Sequence, residues 1–182
     1  ELIAIDGAVT IDGSGFISAE HDVFKLMKDA NITIGKDVVL YSANDCAIFT
    51  SAGADNVTVT LNGTAKSTSS DYAAVQFNGG TTDVTFTLGE YGFIEQNGGE
   101  IALMLPAGGD YTINGQITGG TGIYLKGGNL TINSGSSVTA LGDRKAYEHM
   151  GSGAVSTGDA VVVESCDYPY APATLTINGG VF

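Results

Sequence analysis

Six residues within one short stretch gather much of the polar chemistry of this chain: Asp143, Arg144, Lys145, Tyr147, Glu148 and His149. They include the sole arginine and one of the two histidines, so a general base and a cation that could neutralise an anionic group stand side by side. A solvated loop has the same composition, and no catalytic set is assigned. Arg144, Lys145, Tyr147, Glu148 and His149 are read as candidate binding residues, together with Tyr168 and Tyr170. Tyrosine rings offer a large contact area at little entropic cost, which suits a sugar ring or a protein partner, and Tyr124 is grouped with them.

A second candidate is the pair Asp83 and Asp110, each of which directly precedes an apolar-Thr-apolar triplet. If those triplets stack on one another at the roughly 4.8 Å spacing of paired strands, the two carboxylates can share a proton or a Ca²⁺ ion. Two carboxylates do not supply the six to eight oxygens that Ca²⁺ takes, and no Gly-Gly-x-Gly-x-Asp repeat is present. No cofactor is therefore expected, and Ca²⁺ is the one ion the pair suggests. His21, between Glu20 and Asp22, is read as a surface residue.

The elements that must position these residues follow from a repeat. The triplet recurs as Val9-Thr10-Ile11, Ile32-Thr33-Ile34, Val57-Thr58-Val59, Val84-Thr85-Phe86, Tyr111-Thr112-Ile113, Leu130-Thr131-Ile132 and Leu175-Thr176-Ile177. The intervals are 23, 25, 27, 27, 19 and 45 residues, the signature of a solenoid in which each repeat forms one coil. Two more strand-like stretches lie between successive triplets, exemplified by Val38-Val39-Leu40-Tyr41 and Ala47-Ile48-Phe49. This predicts an all-β, right-handed parallel β-helix of about seven three-strand coils, forming a single domain over 1–182.

Alternation assigns the faces. Val57, Val59 and Leu61 point into the bore while Thr58 and Thr60 point out, and Val84, Phe86 and Leu88 repeat the pattern against Thr85 and Thr87. The central threonines then form an outward stripe, for which threonine's preference for exposed strand faces is sufficient cause. Asn or Asp precedes five of the seven triplets, marking a sharp corner where side-chain amides can bond from coil to coil.

Composition agrees with many short strands and tight turns: 27 glycines, 3 prolines and 43% hydrophobic residues. Twenty acidic residues against seven basic ones give a net charge of −13, which repels phosphate backbones and anionic headgroups, so neither nucleic acid nor membrane insertion is expected. Cys46 and Cys166 fall four coils apart, about 19 Å at the strand spacing, too far to bridge, so both are expected as free thiols.

The 45-residue interval contains an insertion, Gly142 to Asp159, which is expected to protrude from the scaffold and to supply its binding face. A long corner with two of the three prolines follows, Glu164 to Ala173.

The run Tyr111-Thr112-Ile113-Asn114-Gly115, the segment Gly122 to Gly135, the run Gly158 to Val163 with its Tyr-Pro corner, and Leu175 to Gly180 resemble the β-helix repeat modules of large surface proteins of Gram-positive gut bacteria. The resemblance covers the C-terminal half well and the N-terminal half loosely. It implies a parallel β-helix, an extracellular or cell-surface location, and a non-enzymatic structural or adhesive role toward a glycan or a partner surface protein. Pectate-lyase enzymes and phage tailspikes share that architecture. A virion fibre module and a polysaccharide lyase or hydrolase are therefore the alternatives, although the lyase set of several Asp and an Arg on neighbouring coils is not legible here. Neither end shows a cap over its open strand edge, so the chain is expected to continue a longer solenoid or to stack end to end.

Overall fold

The computed structural model describes residues 1–4, 6–148, 153–164 and 172–182. Its described residues form twenty strands and no helix. The opening turn is β1 (Leu2–Ala4), β2 (Ala8–Ile11) and β3 (Gly15–Ala19). The second is β4 (Phe24–Leu26), β5 (Asn31–Ile34) and β6 (Val38–Ser42). The third is β7 (Ile48–Thr50), β8 (Thr58–Leu61) and β9 (Thr64–Ser67). Then come β10 (Val75–Gln76), β11 (Val84–Leu88) and β12 (Phe93–Gln96). The fifth turn is β13 (Ile101–Leu105), β14 (Gly109–Ile113) and β15 (Gln116–Gly119), and the sixth is β16 (Thr121–Leu125), β17 (Asn129–Ile132) and β18 (Ser137–Ala140). Two more strands, β19 (Val161–Val163) and β20 (Thr174–Ile177), begin another turn.

Each strand pairs in parallel with its counterpart one turn away. The first sheet runs β1-β4-β7-β10-β13-β16-β19, the second β2-β5-β8-β11-β14-β17-β20 and the third β3-β6-β9-β12-β15-β18. This is the parallel β-solenoid that the repeat predicts, with about six turns of three strands.

The bore holds the alternating apolar set. Leu26, Ile32, Leu40, Val59, Phe86, Ile113 and Leu125 are all essentially solvent-free, and one contiguous cluster extends from Ala4 to Val138. Burying such a side chain stabilises by about 1.5–3 kcal/mol. Three rings thicken the middle: Phe77 meets Phe86 edge-on at 5.4 Å between centroids and Tyr111 at 6.0 Å. Polar columns serve the corners. Ser42 stacks on Ser67, and Ser67 on Gln96, all buried, where they bond the carbonyls of His21, Asp45, Ser69 and Tyr72.

The register corrects the triplet alignment in two places. Thr33 pairs with Thr60 rather than Thr58, and Thr112 with Thr87 rather than Thr85. The threonine column is thus Thr10, Thr33, Thr60, Thr87, Thr112, Thr131 and Thr176. A slip of two residues leaves every side chain on its expected face, because the strand period is two. Leu61 and Leu88 settle the choice by stacking with Ile34 and Ile113, while Val57 and Val84 fill a longer corner between the first and second sheets.

Side-chain amides bond from coil to coil on both sides of the triplet. After it, Asn178 donates to Asn133, which donates to Asn114, at 3.0 and 2.9 Å, a ladder of stacked asparagines beyond the expected one. Before the triplet, Asn56 donates to Asp29 and Asn129 to Asp110, both at 2.9 Å. Asp6, Asp29, Asn56 and Asp83 adopt positive φ of 46–57° there, a conformation that Asp and Asn tolerate best among residues with a Cβ.

Candidate functional site

The insertion does not simply protrude. Its first arm, Asp143 to Glu148, is exposed, whereas its return arm folds back over the outer face of the first sheet and buries Ser156 and Thr157. Thr121 at the start of β16 holds that return: its hydroxyl accepts from the Thr157 N–H at 2.7 Å and the Gly158 N–H at 3.1 Å, and lies 3.2 Å from the Ser156 hydroxyl. The two arms are tied by the Lys145 N–H, which donates to the Thr157 carbonyl at 3.0 Å. Ala154 adds an apolar contact over Ile101, Met104 and Tyr124.

Beneath this fold-back lies a buried polar cluster that the sequence reading did not assign. Tyr124, Lys126 and Glu164 all project from the outer face of the first sheet, and their burial there is the work of the insertion. The Lys126 ammonium is 3.5 Å from the Glu164 carboxylate, with side chains 0% and 3% exposed, and it donates to the Gly153 carbonyl of the return arm. The Tyr124 hydroxyl donates to Glu164 at 2.5 Å. Burial, then this bond to a carboxylate, pushes the Tyr124 phenol well above its usual range. Tyr147 is held in the same way. Desolvation, followed by a hydrogen bond to Glu164, raises its phenol although most of its ring is in solvent. Glu164 itself is fixed by its N–H, which donates to the Leu125 carbonyl at 2.9 Å. The unbroken apolar run Ile123-Tyr124-Leu125, in a strand buried on both faces, is the signal that marks such a covered face.

Among the expected binding residues, Arg144, Lys145, Tyr147 and Glu148 therefore share one exposed arm. Lys145 also acts on Glu100 one turn below: burial raises that carboxyl, Lys145 opposes the rise, and Asp71 adds to it. His149, Tyr168 and Tyr170 lie outside the described residues, as does Cys166. Tyr124 is corrected from the aromatic patch, since it is fully enclosed.

Asp83 and Asp110 do not form a rung. Asp110 stands opposite Thr85, and Asp83 is two residues back, opposite Gly108, because the corner before β11 is longer than that before β14. Both line one shallow depression with Asn56 and Asn129. A second depression, on the corner between the second and third sheets, is lined by Thr10, Asp12, Thr33, Lys36, Asn62 and Tyr91.

Among the described residues, the metal-ligating side chains that do converge are Asp22, Asp45 and Cys46, in the turns that lead into β4 and β7. Neither stretch of sequence alone marks them as a group. Aligning Val23-Phe24 with Ala47-Ile48 would have found them, since it sets Asp22 level with Cys46. His21 is exposed as expected, with Nδ1 3.9 Å from Asp45 Oδ2.

No family model, curated protein or solved structure matches the chain. Among the described residues no helix is long and apolar enough to cross a membrane.

Proposed function

We propose that the chain is a non-enzymatic structural and adhesive module of a cell surface or extracellular appendage, which presents the arm 143–148 to a glycan or a partner surface protein. The observation that carries this reading is the asymmetry of the insertion. Its return arm is anchored through Thr121 and Lys126 to a rigid sheet, while Arg144, Lys145, Tyr147 and Glu148 are left exposed on the other arm. An arm whose backbone is tied down this way loses less backbone entropy on binding, and a charged, tyrosine-bearing arm suits polar partners such as sugars. The net charge of −13 argues against nucleic acid.

A glycan array and a surface-protein binding screen, run beside a native mass measurement, test the proposal. Replacing Arg144, Lys145 and Glu148 together by alanine keeps Tyr147 and the buried anchors, and should weaken the binding found by at least tenfold without moving the melting temperature by more than a degree or two. Unchanged binding in that variant removes the arm as the recognition element. Turnover of an acidic glycan would replace the adhesive reading by a lyase, and a trimeric mass by a fibre.

A further inference from the structure

The corner where the third sheet passes into the first, in the opening turns, brings together two carboxylates and a thiol that the proposed function does not use. An oxygen from each of Asp22 and Asp45 and the Cys46 sulfur all lie within 4.8 Å of one another. They come from successive coils: Asp22 precedes β4, Asp45 and Cys46 precede β7, and the Val23 N–H donates to the Cys46 carbonyl at 3.2 Å.

Two features set this corner apart from an ordinary acidic turn. Asp22 is only 9% exposed, yet its Oδ1 has no hydrogen-bond partner among the described residues, although an unmet buried carboxylate oxygen is costly. The backbone around the cluster is also fixed from within. Ser42 donates to the His21 carbonyl at 2.8 Å and accepts from the Asp45 N–H at 3.1 Å, and Ser67 donates to the Asp45 carbonyl at 2.7 Å. Buried hydroxyls thus hold both turns in place, as supporting bonds around metal sites do.

We infer that this corner binds a zinc ion through Asp22, Asp45 and Cys46, with the exposed His21 imidazole, 3.9 Å from Asp45 Oδ2, rotating inward to supply the fourth ligand. A thiolate combined with imidazole and carboxylate oxygens selects a borderline-soft cation over Ca²⁺ or Mg²⁺, which take six or more oxygens. Tetrahedral zinc, with bonds of about 2.0–2.3 Å, sets its ligands roughly 3.5 Å apart, so closing the present spacing takes side-chain rotations of about 1 Å. Binding is redox-neutral: the Cys46 thiol gives its proton to solvent as the sulfur–zinc bond forms. The ion would satisfy Asp22 Oδ1 and staple the first turn to the second, at a corner separate from the insertion.

The test uses the whole chain in a Cys166→Ser background, stripped with a chelator and titrated with ZnCl₂ or CoCl₂. One equivalent of zinc should bind and raise the melting temperature, and cobalt should give the charge-transfer absorption of a tetrahedral thiolate site. Cys46→Ser should abolish that absorption, and Asp22→Asn or Asp45→Asn should abolish stoichiometric binding at concentrations that saturate the parent chain. Asp45 is only half-buried, so Asp45→Asn supplies the result if either buried-site variant fails to fold by circular dichroism. Absence of stoichiometric binding in the parent overturns the inference. So does zinc binding that a folded Cys46→Ser or Asp45→Asn chain retains in full.

Discussion

Lys126 and Glu164 face each other at 3.5 Å on the outside of a β-sheet, yet both side chains are enclosed, because the insertion between them in sequence folds back over them. Two charges taken out of water in this way depend on each other. Removing one leaves the other buried without its counter-charge, at a cost of about 3–5 kcal/mol, whereas removing both is far milder. Glu164→Gln keeps the shape and an acceptor for Tyr124 but deletes the charge, so the unfolding free energy measured in urea should fall by that amount. Lys126→Met combined with Glu164→Gln should recover most of the loss. Equal destabilisation of single and double variants would show that packing, not charge, holds the return arm.

The close approach of the coils at a second corner leads to a prediction about glycine. Gly63, Gly92 and Gly115 stack where the second sheet turns into the third. A Cβ on Gly63 would lie 2.3 Å from the Val38 carbonyl oxygen, and one on Gly115 would lie 2.2 Å from that of Gly92. Both clashes are with backbone, which cannot rotate away. None of the three has positive φ, so what they supply is space rather than an unusual dihedral. Gly63→Ala and Gly115→Ala should each lower stability by about 1–3 kcal/mol. Gly15, in the edge strand β3, has open space around its Cα, and Gly15→Ala should be neutral or stabilise by up to about 1 kcal/mol through the unfolded chain. Thermal melts of the three variants give the comparison, and a Gly63→Ala chain as stable as the parent would contradict the packing argument.

The sequence revealed the architecture because face and period are local properties. Val59 and Leu61 alternate with Thr58 and Thr60 whatever their partners are, so inside and outside were legible, as were all three strands of nearly every coil. Register is not local. A Thr-x-Thr strand offers two alignments with identical faces, and corner length, set by packing at Val57 and Val84, decides between them. That is why matching the triplets sets Asp83 level with Asp110, whereas Asp110 stands opposite Thr85. The candidate sites were less legible still. Tyr124 reads as an outward tyrosine and is one, but a segment thirty residues on returns to cover it. Asp22, Asp45 and Cys46 meet through the pairing of two corners, which no single stretch displays.

The last prediction concerns pH. Glu95 pairs across the third sheet with Lys66, 2.7 Å away, on side chains 24% and 32% exposed. Partial burial tends to raise the Glu95 carboxyl, but hydrogen bonds from Lys66 and Asn97 and the Lys66 charge outweigh it, and the pKa is lowered overall. A carboxyl more acidic in the folded than in the unfolded chain binds fewer protons when folded. Its stabilising contribution is therefore complete above the unfolded value near 4.5 and is lost as pH falls through the lower folded value. Lys66→Met removes the hydrogen bond and the charge while keeping most of the apolar stem. The parent should be more stable than Lys66→Met at pH 7 by no more than about 1 kcal/mol, since the pair is partly solvated. That margin should shrink below about pH 4.5 as Glu95 is protonated. Urea unfolding of both chains between pH 7 and pH 3 measures it. A margin that stays constant through this range would show that Lys66 stabilises by its stem alone and that the ion pair contributes nothing.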